Sequence, residues 1–406
     1  MINETNKHSW CVNAFHGMSA NNSGSTKMCC MISSDYNDMG FQKIFFIDKV
    51  SIEENFNNKQ ALKIRKDLEN GIRNSACKHC WQEEDAGRNS KRMRDNHKYV
   101  RHLDLGGEPF QGLAKFELNL GNTCNIKCRT CGPSISSTWM KEDYDLNHSK
   151  ISYKAYAENM KRFHQSYDED SIFWTDLEKN LSNIRQFDFY GGEPFLSKKM
   201  WEILKICVDK GYSKNIEIHY NTNGTTWPED KIWLFDHFKE INLSFSIDGI
   251  EDQFEYMRFP AKWSEVLKNM NKAKELKNRL STINISWCIT LSTLNIYDLP
   301  KILDFYYENF SSFGLYLNLV HGPRHYNISI LPKDVKTKII DHLKQSVPKE
   351  YNQAWMYLDG IIKFIENGQE EKENMSVLKK TTKIHDDYRQ QVFSKTFPEY
   401  SNIIGI

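Results

Sequence analysis

Three cysteines at close, regular spacing are the most distinctive chemical feature of the chain. Cys124, Cys128 and Cys131 lie in a loop directly after a predicted strand. Three thiolates can hold three irons of a four-iron four-sulfur cluster and leave the fourth iron without a protein ligand. The alternatives are a zinc site or three buried cysteines, but structural zinc prefers four protein ligands and no fourth Cys or His follows at finger spacing. The spacing therefore predicts a [4Fe-4S] cluster with one open iron.

The motif resembles the C-x3-C-x2-C signature of the radical S-adenosylmethionine (SAM) superfamily, which follows the first strand of a barrel. By order of motifs, the resemblance covers residues 114–325. It implies that SAM chelates the open iron through its amino and carboxylate groups. An electron from the cluster then yields methionine and a 5′-deoxyadenosyl radical, which takes a hydrogen atom from a substrate. Thr130 departs from the family, whose members commonly carry an aromatic residue there.

Further motifs follow in the order of that superfamily. Gly191, Gly192 and Glu193 resemble its receptor for the SAM amino group, and Arg258 matches an arginine that pairs with the SAM carboxylate. Polar residues at strand ends resemble the positions of that superfamily that contact ribose and substrate: Asn221, Asn223, Ser246 and Asp248. The resemblance also implies that the sixth strand, which ends at Val320, lies against adenine. Ordinary Asx turns and a surface ion pair of Arg258 are the alternatives. A second Gly-Gly-Glu-Pro at 106–109 is predicted to be a turn.

Two cysteines remain inside the predicted barrel. Cys288 lies on the polar face of the fifth strand, where a thiol is a candidate hydrogen donor to a product radical. A small buried hydrophobe is the favoured alternative for this residue. Cys207 is predicted to lie in the core of a helix.

The amino-terminal region holds a second thiol set. Cys11, Cys29, Cys77 and Cys80 are sufficient for a closed four-iron cluster, and Cys30 is an alternative to Cys29. The set resembles the auxiliary-cluster module called twitch, a shortened SPASM domain, although here the module precedes the barrel. A four-cysteine zinc site is the alternative.

These residues need a scaffold, and the hydrophobic pattern from residue 114 predicts alternating strands and helices. The predicted strands are residues 115–120, 186–190, 215–220, 241–247, 282–290 and 315–320, and the helices between them include 198–210, 263–280 and 299–309. This order predicts an α/β fold, a partial (β/α)6 TIM-like barrel with its site at the strand C-termini.

The flanking regions have different patterns. Residues 1–113 are predicted to form a small Cys-rich module with a strand at 43–47 and a helix at 57–70. Residues 114–325 form the barrel, and 326–406 a helical C-terminal region with helices at 333–345, 351–367 and 381–394. We expect these three segments to be the domains.

Composition restricts the partners. Lys plus Arg number 54 and Asp plus Glu 53, so no global field attracts nucleic acid or an anionic membrane. The N-terminus lacks a secretory segment and no apolar run is long enough to span a membrane, which predicts a cytoplasmic protein. The basic stretch of Arg88, Lys91, Arg92, Arg94, Lys98 and Arg101 is either a substrate-facing element or, as the pattern favours, a solvated connector.

The combined prediction is an oxidoreductase-like radical SAM enzyme that modifies or crosslinks a peptide or small metabolite. Flavodoxin or ferredoxin would supply the electron, and the second cluster would accept one from the substrate. An isomerase, an epimerase or a nucleic-acid modifier is the alternative within the superfamily. A zinc-stabilised protein that binds a polyanion through residues 88–101 is the non-enzymatic alternative.

Overall fold

The computed structural model describes residues 3–32, 46–85, 89–99 and 112–406. They form an α/β fold with a parallel-strand sheet and a helical C-terminal region. Two units can be distinguished: Met1–Thr123, Lys154–Tyr220 and Asp230–Ile241 form the first, and Cys124–Tyr153, Asn221–Glu229 and Asn242–Ile406 form the second. The predicted domain boundaries at 113 and 325 stay a prediction.

The strands are β1 (Gly17–Ala20), β2 (Thr26–Lys27), β3 (Lys115–Asn119), β4 (Gln186–Tyr190), β5 (Glu217–Thr222), β6 (Glu240–Ser246), β7 (Ile283–Leu291) and β8 (Gly314–Leu319). The α-helices are α1 (Val12–His16), α2 (Ile52–Phe56), α3 (Lys59–Glu69), α4 (Lys78–Asp85), α5 (Lys91–Tyr99), α6 (Trp139–Asp143), α7 (Tyr153–Met160), α8 (Ile172–Asn180), α9 (Lys198–Asp209), α10 (Glu251–Met257), α11 (Trp263–Arg279), α12 (Leu299–Asn309), α13 (Lys333–Ser346), α14 (Asn352–Glu366), α15 (Lys372–Arg389), α16 (Phe393–Thr396) and α17 (Pro398–Ile404).

The first unit is built on parallel strands with one apolar face. β1 pairs in parallel with β3, β3 with β4, and β4 with β5, while the two-residue β2 runs antiparallel to β1. Phe116, Phe187 and Ile218 lie side by side on adjacent strands, on one face of this sheet, and are fully buried. Phe116 also contacts Phe173 of α8 edge to face at 5.9 Å. Alternation along each strand therefore leaves the opposite face polar.

The second unit has the same layered construction. β7 pairs in parallel with β8, and Ile247 N, just after β6, donates to Cys288 O of β7 at 2.9 Å. Trp287 of β7 is fully buried and packs against Trp263 of α11 and Phe305 of α12. Helices α13 to α17 follow β8.

Most predicted elements inside the barrel segment are confirmed. β4 and α12 have the predicted bounds, and β3, β6, β7, β8, α9 and α11 differ by one or two residues at their ends. β5 ends two residues later than predicted. The helix predicted at 381–394 is wrong in position, because α15 begins at Lys372 and ends at Arg389. The first three residues of α15, Lys372, Glu373 and Asn374, are polar, so the hydrophobic pattern did not mark its start.

Several N-terminal predictions lie wholly or partly outside the described residues. They concern residues 43–45 of the predicted strand at 43–47, the turn at 106–109, and Arg88 and Arg101 of the basic stretch. Within the described part, Phe46 forms an isolated antiparallel bridge with Ser25. The sequence did not predict β1, which is four residues long and joins the parallel sheet.

The described part of the basic stretch is not a solvated connector, so that favoured interpretation is wrong. It forms α5, which lies on the polar face of the first unit's sheet. Lys91 Nζ lies 2.9 Å from Glu117 Oε1 of β3, and Lys98 Nζ lies 3.1 Å from Glu217 Oε2 of β5. Both carboxylates are buried, so each requires a cationic partner.

Among the described helices, none has both the length and the apolar character needed to cross a membrane.

Candidate functional site

The cysteine loop begins where β3 ends. Cys124, Cys128 and Cys131 all carry free thiols; Cys128 is buried and the other two are half-buried. Cys131 N donates to Cys128 O at 3.1 Å, which closes the turn between the last two cysteines. Thr138 Oγ1 donates to Cys124 O at 2.6 Å and fixes the start of the loop.

Three further contacts of the loop come from the 257–259 segment and from α6. Lys127 N donates to Phe259 O at 2.7 Å, and Arg129 N donates to Met257 O at 2.8 Å. Trp139 Nε1 of α6 donates to Cys128 O at 2.9 Å. The backbone on both sides of Cys128 is thus held by the 257–259 segment, which limits the positions that the thiol can take.

Side-chain N–H groups point at two of the three sulfurs. Asn223 Nδ2 lies 3.7 Å from Cys124 Sγ, and Arg258 Nη1 lies 3.8 Å from Cys128 Sγ. Thr225 N donates to Asn223 Oδ1 at 2.9 Å, which orients the amide with its nitrogen towards the sulfur. Such N–H···S contacts stabilise thiolates and raise the reduction potential of a cluster bound to them.

Arg258 is itself fixed by a buried carboxylate. Arg258 Nη2 donates to Asp248 Oδ2 at 2.7 Å, and Thr290 N donates to Asp248 Oδ1 at 2.9 Å. Asn295 Nδ2 also donates to Asp248 O at 3.0 Å. Both members of the ion pair are at most one-tenth exposed. The alternative of a surface ion pair for Arg258 is therefore wrong in its location, because the pair is buried; the predicted contact of Arg258 to the SAM carboxylate stays a prediction.

The Cys128 thiol ionises more readily than an ordinary thiol. A hydrogen bond from Cys131 lowers the pKa of Cys128 to about 7, against the effect of burial and with help from the Arg258 charge. The proton then resides on Cys131, whose pKa is raised well above its usual value. Because metals bind thiolates rather than thiols, metal binding by all three cysteines would release the proton that Cys131 holds.

The Gly-Gly-Glu-Pro segment after β4 packs against the residues that precede the cysteine loop. Gly191 and Gly192 have φ of +82° and +54°. A Cβ on Gly192 would lie 2.1 Å from Thr123 O, and one on Gly191 would lie 1.5 Å from Asn119 Oδ1. This close approach lets Glu193 N donate to Thr123 O at 2.8 Å. Both glycines are needed for the turn geometry.

Glu193 is buried, and its side chain has a structural contact. Glu193 Oε1 accepts a hydrogen bond from Phe195 N at 3.2 Å. The residue also lines an open cleft together with His164, Tyr167 and Lys198. Its predicted contact to the SAM amino group stays a prediction.

The other predicted ligand positions lie at strand ends, as expected. Asn221 is the penultimate residue of β5 and Ser246 the last residue of β6; both are half-buried. Val320 follows β8, is buried, and its N–H donates to Leu291 O at 2.9 Å.

Cys288, the candidate hydrogen donor, is half-buried on β7. Burial raises the pKa of its thiol to about 11, so the thiol keeps its hydrogen at neutral pH.

The N-terminal thiols line one cavity. Cys11, Cys29, Cys77 and Cys80 all border it, together with Arg92 of α5. Cys30 does not line this cavity; its N–H donates to Glu117 Oε2 at 3.3 Å instead. Burial raises the pKa of Cys11 and of Cys77 to about 12 each, with smaller contributions from the neighbouring thiols. Positive metal ions bound by these sulfurs would offset the cost of ionising buried thiols.

Arg92 connects this cavity to the surrounding helices. Arg92 Nη2 lies 2.6 Å from Glu84 Oε2 of α4, and its Nη1 donates to Trp10 O at 2.8 Å. Its guanidinium also stacks 5.0 Å from the Trp81 ring centroid.

Among the described residues, no group of three or more His, Cys, Asp or Glu side chains is arranged so that it could hold a single metal ion.

Sequence reasoning missed several residues around the cysteine loop. Asn125 Nδ2 donates to Thr225 Oγ1 at 2.8 Å, and Asn125 Oδ1 accepts from Asn223 Nδ2 at 3.0 Å. Asn125 lies within the C-x3-C spacing, so its position was a usable signal. Glu142, Asp386 and Arg389, described below, carry no motif that would have marked them.

Comparisons with known proteins agree with the cysteine motif. Residues 118–286 match the model of the Radical SAM superfamily, a segment that includes all three loop cysteines, Gly191–Glu193 and Arg258. No match was found among curated proteins.

Solved structures align over part of their length. Native anSMEcpe with bound AdoMet shares 18% identity at a TM-score of 0.39, over 64% of this chain and 63% of that chain. Streptococcus suis SuiB bound to S-adenosylmethionine shares 12% at 0.38, over 75% and 61%. SuiB bound to precursor peptide SuiA shares 12% at 0.34, over 73% and 62%. The chain thus spans less than two thirds of each of these structures.

Proposed function

We propose that this chain is a radical SAM enzyme. The observation that carries the proposal is the loop of Cys124, Cys128 and Cys131, whose sulfurs receive N–H contacts from Asn223 and Arg258, within a segment that matches the superfamily model. Three free thiols with side-chain donors directed at two of them fit a [4Fe-4S] cluster that keeps one iron open. The parallel strands would form a partial (β/α)6 barrel around it.

When bound, the cluster supplies the electron that cleaves SAM to methionine and a 5′-deoxyadenosyl radical, which takes a hydrogen atom from the substrate. The protein residues act on the environment of this chemistry. Arg258 and Asn223 donate to the sulfurs and reduce their negative charge. Gly191 and Gly192 allow the Glu193 turn to approach Thr123. By resemblance, this turn receives the SAM amino group.

We assign the N-terminal cavity to a second, closed [4Fe-4S] cluster on Cys11, Cys29, Cys77 and Cys80. Support comes from the four thiols that border one cavity and from the positive charge of Arg92 beside them, which suits an anionic cluster. The module would be twitch-like, placed before the barrel. A cluster there could accept the substrate electron, so we favour oxidative modification or crosslinking over isomerisation or epimerisation.

The proposed substrate is a peptide or small metabolite, with flavodoxin or ferredoxin as electron donor. Cys288 is the proposed hydrogen donor for reactions that quench a product radical, because its thiol stays protonated at neutral pH. Substitution of Cys288 with Ser should then change the product without reducing SAM cleavage. An equal product distribution in both proteins would remove Cys288 from the mechanism.

The rival function, a zinc-stabilised polyanion-binding protein, has less support. It requires free cations on residues 88–101, whereas in the described part Lys91, Arg92 and Lys98 each pair with a carboxylate. Paired and partly buried cations contribute little to phosphate binding. The same pairing argues against a nucleic-acid substrate held by α5.

Anaerobic reconstitution tests the proposed function. We expect brown protein with about eight irons per chain, and 5′-deoxyadenosine detected by mass spectrometry after reduction with SAM. Cys128→Ala should abolish 5′-deoxyadenosine and retain about four irons at the N-terminal site. Cys207→Ala is the matched control, because Cys207 is a buried cysteine of α9 that belongs to neither cysteine set. Colourless wild-type protein that contains zinc would contradict the proposal.

A further inference from the structure

The C-terminal helix α15 contacts the cysteine loop through charges on both sides of Cys128. Lys127 and Arg129 flank this cysteine, and neither extends into solvent: the Lys127 side chain is 14% exposed and that of Arg129 is 0% exposed. Burial of a cation is costly unless a carboxylate compensates it. Each of these two cations has such a partner.

Arg129 pairs with Asp386 of α15. Arg129 Nη2 lies 2.5 Å from Asp386 Oδ1, which also accepts a hydrogen bond from Tyr256 OH at 2.7 Å. The guanidinium stacks over the Tyr256 ring at 3.9 Å from its centroid. Asp386 Oδ2 in turn accepts from Phe393 N at 2.7 Å, which ties the pair to the start of α16.

Lys127 reaches the same helix through Glu142 of α6. Lys127 Nζ lies 2.8 Å from Glu142 Oε2, and Arg389 Nε lies 3.0 Å from Glu142 Oε1. His385 Nδ1 lies 2.7 Å from the same oxygen of Glu142. The Glu142 and Arg389 side chains are fully buried. Asp386 and Arg389 lie in the last turn of α15, and His385 directly precedes that turn.

The arrangement carries an excess of positive charge behind the cysteines. Among the described residues, the carboxylates within ion-pair distance of Lys127, Arg129 and Arg389 are those of Glu142 and Asp386. A cluster held by thiolates is anionic, so this excess stabilises it and its reduced form most strongly. The loop position also determines the Cys128 to Arg258 contact, because Lys127 N and Arg129 N bond to residues on both sides of Arg258.

We propose that the last turn of α15 is a positioning element for the cluster loop: Asp386 acts through Arg129, and Arg389 acts through Glu142 and Lys127, to hold Cys128 and to set the charge that the cluster experiences. This inference rests on the proposed function and assigns a role to the helical C-terminal region. The residues named are positioning residues, since none of them contacts a sulfur.

The test uses the reconstituted full-length chain and follows the reduction potential of the open-iron cluster, identified by the change of its EPR signal on SAM addition. Asp386→Asn leaves Arg129 uncompensated, so the potential should rise. Arg129→Gln leaves Asp386 uncompensated, so the potential should fall. Opposite shifts are expected from electrostatics and would not follow from loosened packing alone. Loss of iron to a chelator should be about tenfold faster in either variant.

Asp387→Asn is the matched control, because Asp387 is the next residue, is 66% exposed and pairs with Lys383 on the surface. It should leave the potential and the chelation rate unchanged. If Asp386→Asn fails to fold by circular dichroism, Asp386→Glu, which keeps the charge, should restore the fold and the wild-type potential. Wild-type behaviour of both Asp386→Asn and Arg129→Gln, or shifts of the same sign, would overturn the positioning role.

The two proposals fail in different ways. A wild-type chain that holds no open-iron cluster overturns the proposed function, and this inference with it. A wild-type chain that holds the cluster, with unaltered variants, overturns only the role of α15.

Discussion

Individual residues show how far sequence reasoning reaches at this site. Spacing predicted Cys124, Cys128 and Cys131 as cluster ligands, and the motif order predicted contacts of Asp248 and Arg258 to the cofactor or substrate; these roles stay predictions. The structure adds that Arg258 contacts both Asp248 and the Cys128 sulfur, which no local pattern encodes. Arg129 could not be paired with Asp386 from sequence, because 257 residues separate them and Asp386 lies in no motif.

Substitution of Gly192 with Ala tests whether a steric clash destabilises the fold in addition to backbone strain. Gly192→Ala should lower the free energy of unfolding by about 3 kcal/mol or more, since it combines a φ of +54° with a Cβ 2.1 Å from Thr123 O. Gly211→Ala is the control, because Gly211 has φ +72° with no atom within 4 Å of the added Cβ. It should cost only about 1 kcal/mol. Urea denaturation measures both; equal losses would contradict the clash.

At the scale of elements, hydrophobic alternation located β3, β4, β6, β7 and β8 because their buried residues pack against helices on one face. The opposite, polar face explains what the pattern could not show. The charge pattern of the basic stretch predicts a solvated connector. The structure instead has α5 on that polar face, with its lysines paired to strand carboxylates. Charge patterning cannot distinguish a solvated helix from one whose charges are neutralised by partners distant in sequence.

Asp298, at the start of α12, leads to a pH-dependent prediction. Burial raises its pKa to about 6, although Gln253 Nε2 donates to its Oδ1 at 2.7 Å. The folded pKa exceeds the unfolded value of 3.8, so its contribution to stability is complete below about pH 4 and is lost as pH rises through 6. Asp298→Asn should therefore be more stable than wild type at pH 8, by about 1–3 kcal/mol, and only about a third of that difference should remain at pH 4.5.

Urea midpoints at the two pH values measure this difference. Asp334→Asn serves as the control, because Asp334 is an exposed residue in the first turn of α13. Its difference from wild type should not show the same pH dependence. An Asp298→Asn variant that is less stable than wild type at pH 8 would contradict the assignment.

At the scale of the whole molecule, composition excluded a global basic surface. The order of motifs predicted a resemblance over residues 114–325, and residues 118–286 within that range match the model of the Radical SAM superfamily. The terminal regions were harder to predict. In the N-terminal region, β1 is only four residues long, and its pairing with β3 spans a long stretch of chain. The C-terminal helices were predicted in type but not in role, because their contacts to the cysteine loop are long-range.

The two metal sites should be separable in the intact chain. Cys80→Ser should remove about four of about eight irons and leave the SAM-dependent EPR change of the Cys124 cluster intact. Cys30→Ser is the matched control, because Cys30 neighbours Cys29 but does not line the cavity, and it should retain all iron. Iron and sulfide analysis with EPR measures both. Loss of iron in Cys30→Ser alone would make Cys30 the ligand in place of Cys29.

The polar face beneath α5 also has a consequence for evolution. Its lysines and carboxylates are equal in number and interlocked in the first unit: Lys91, Lys98, Lys115 and Lys239 with Asp95, Glu117, Asp188 and Glu217. Loss of one member unbalances the charge of this largely buried network, so single substitutions here should be selected against. Homologues are therefore expected to exchange these positions in matched pairs, and such covariation would trace the helix across lineages even where its sequence has diverged.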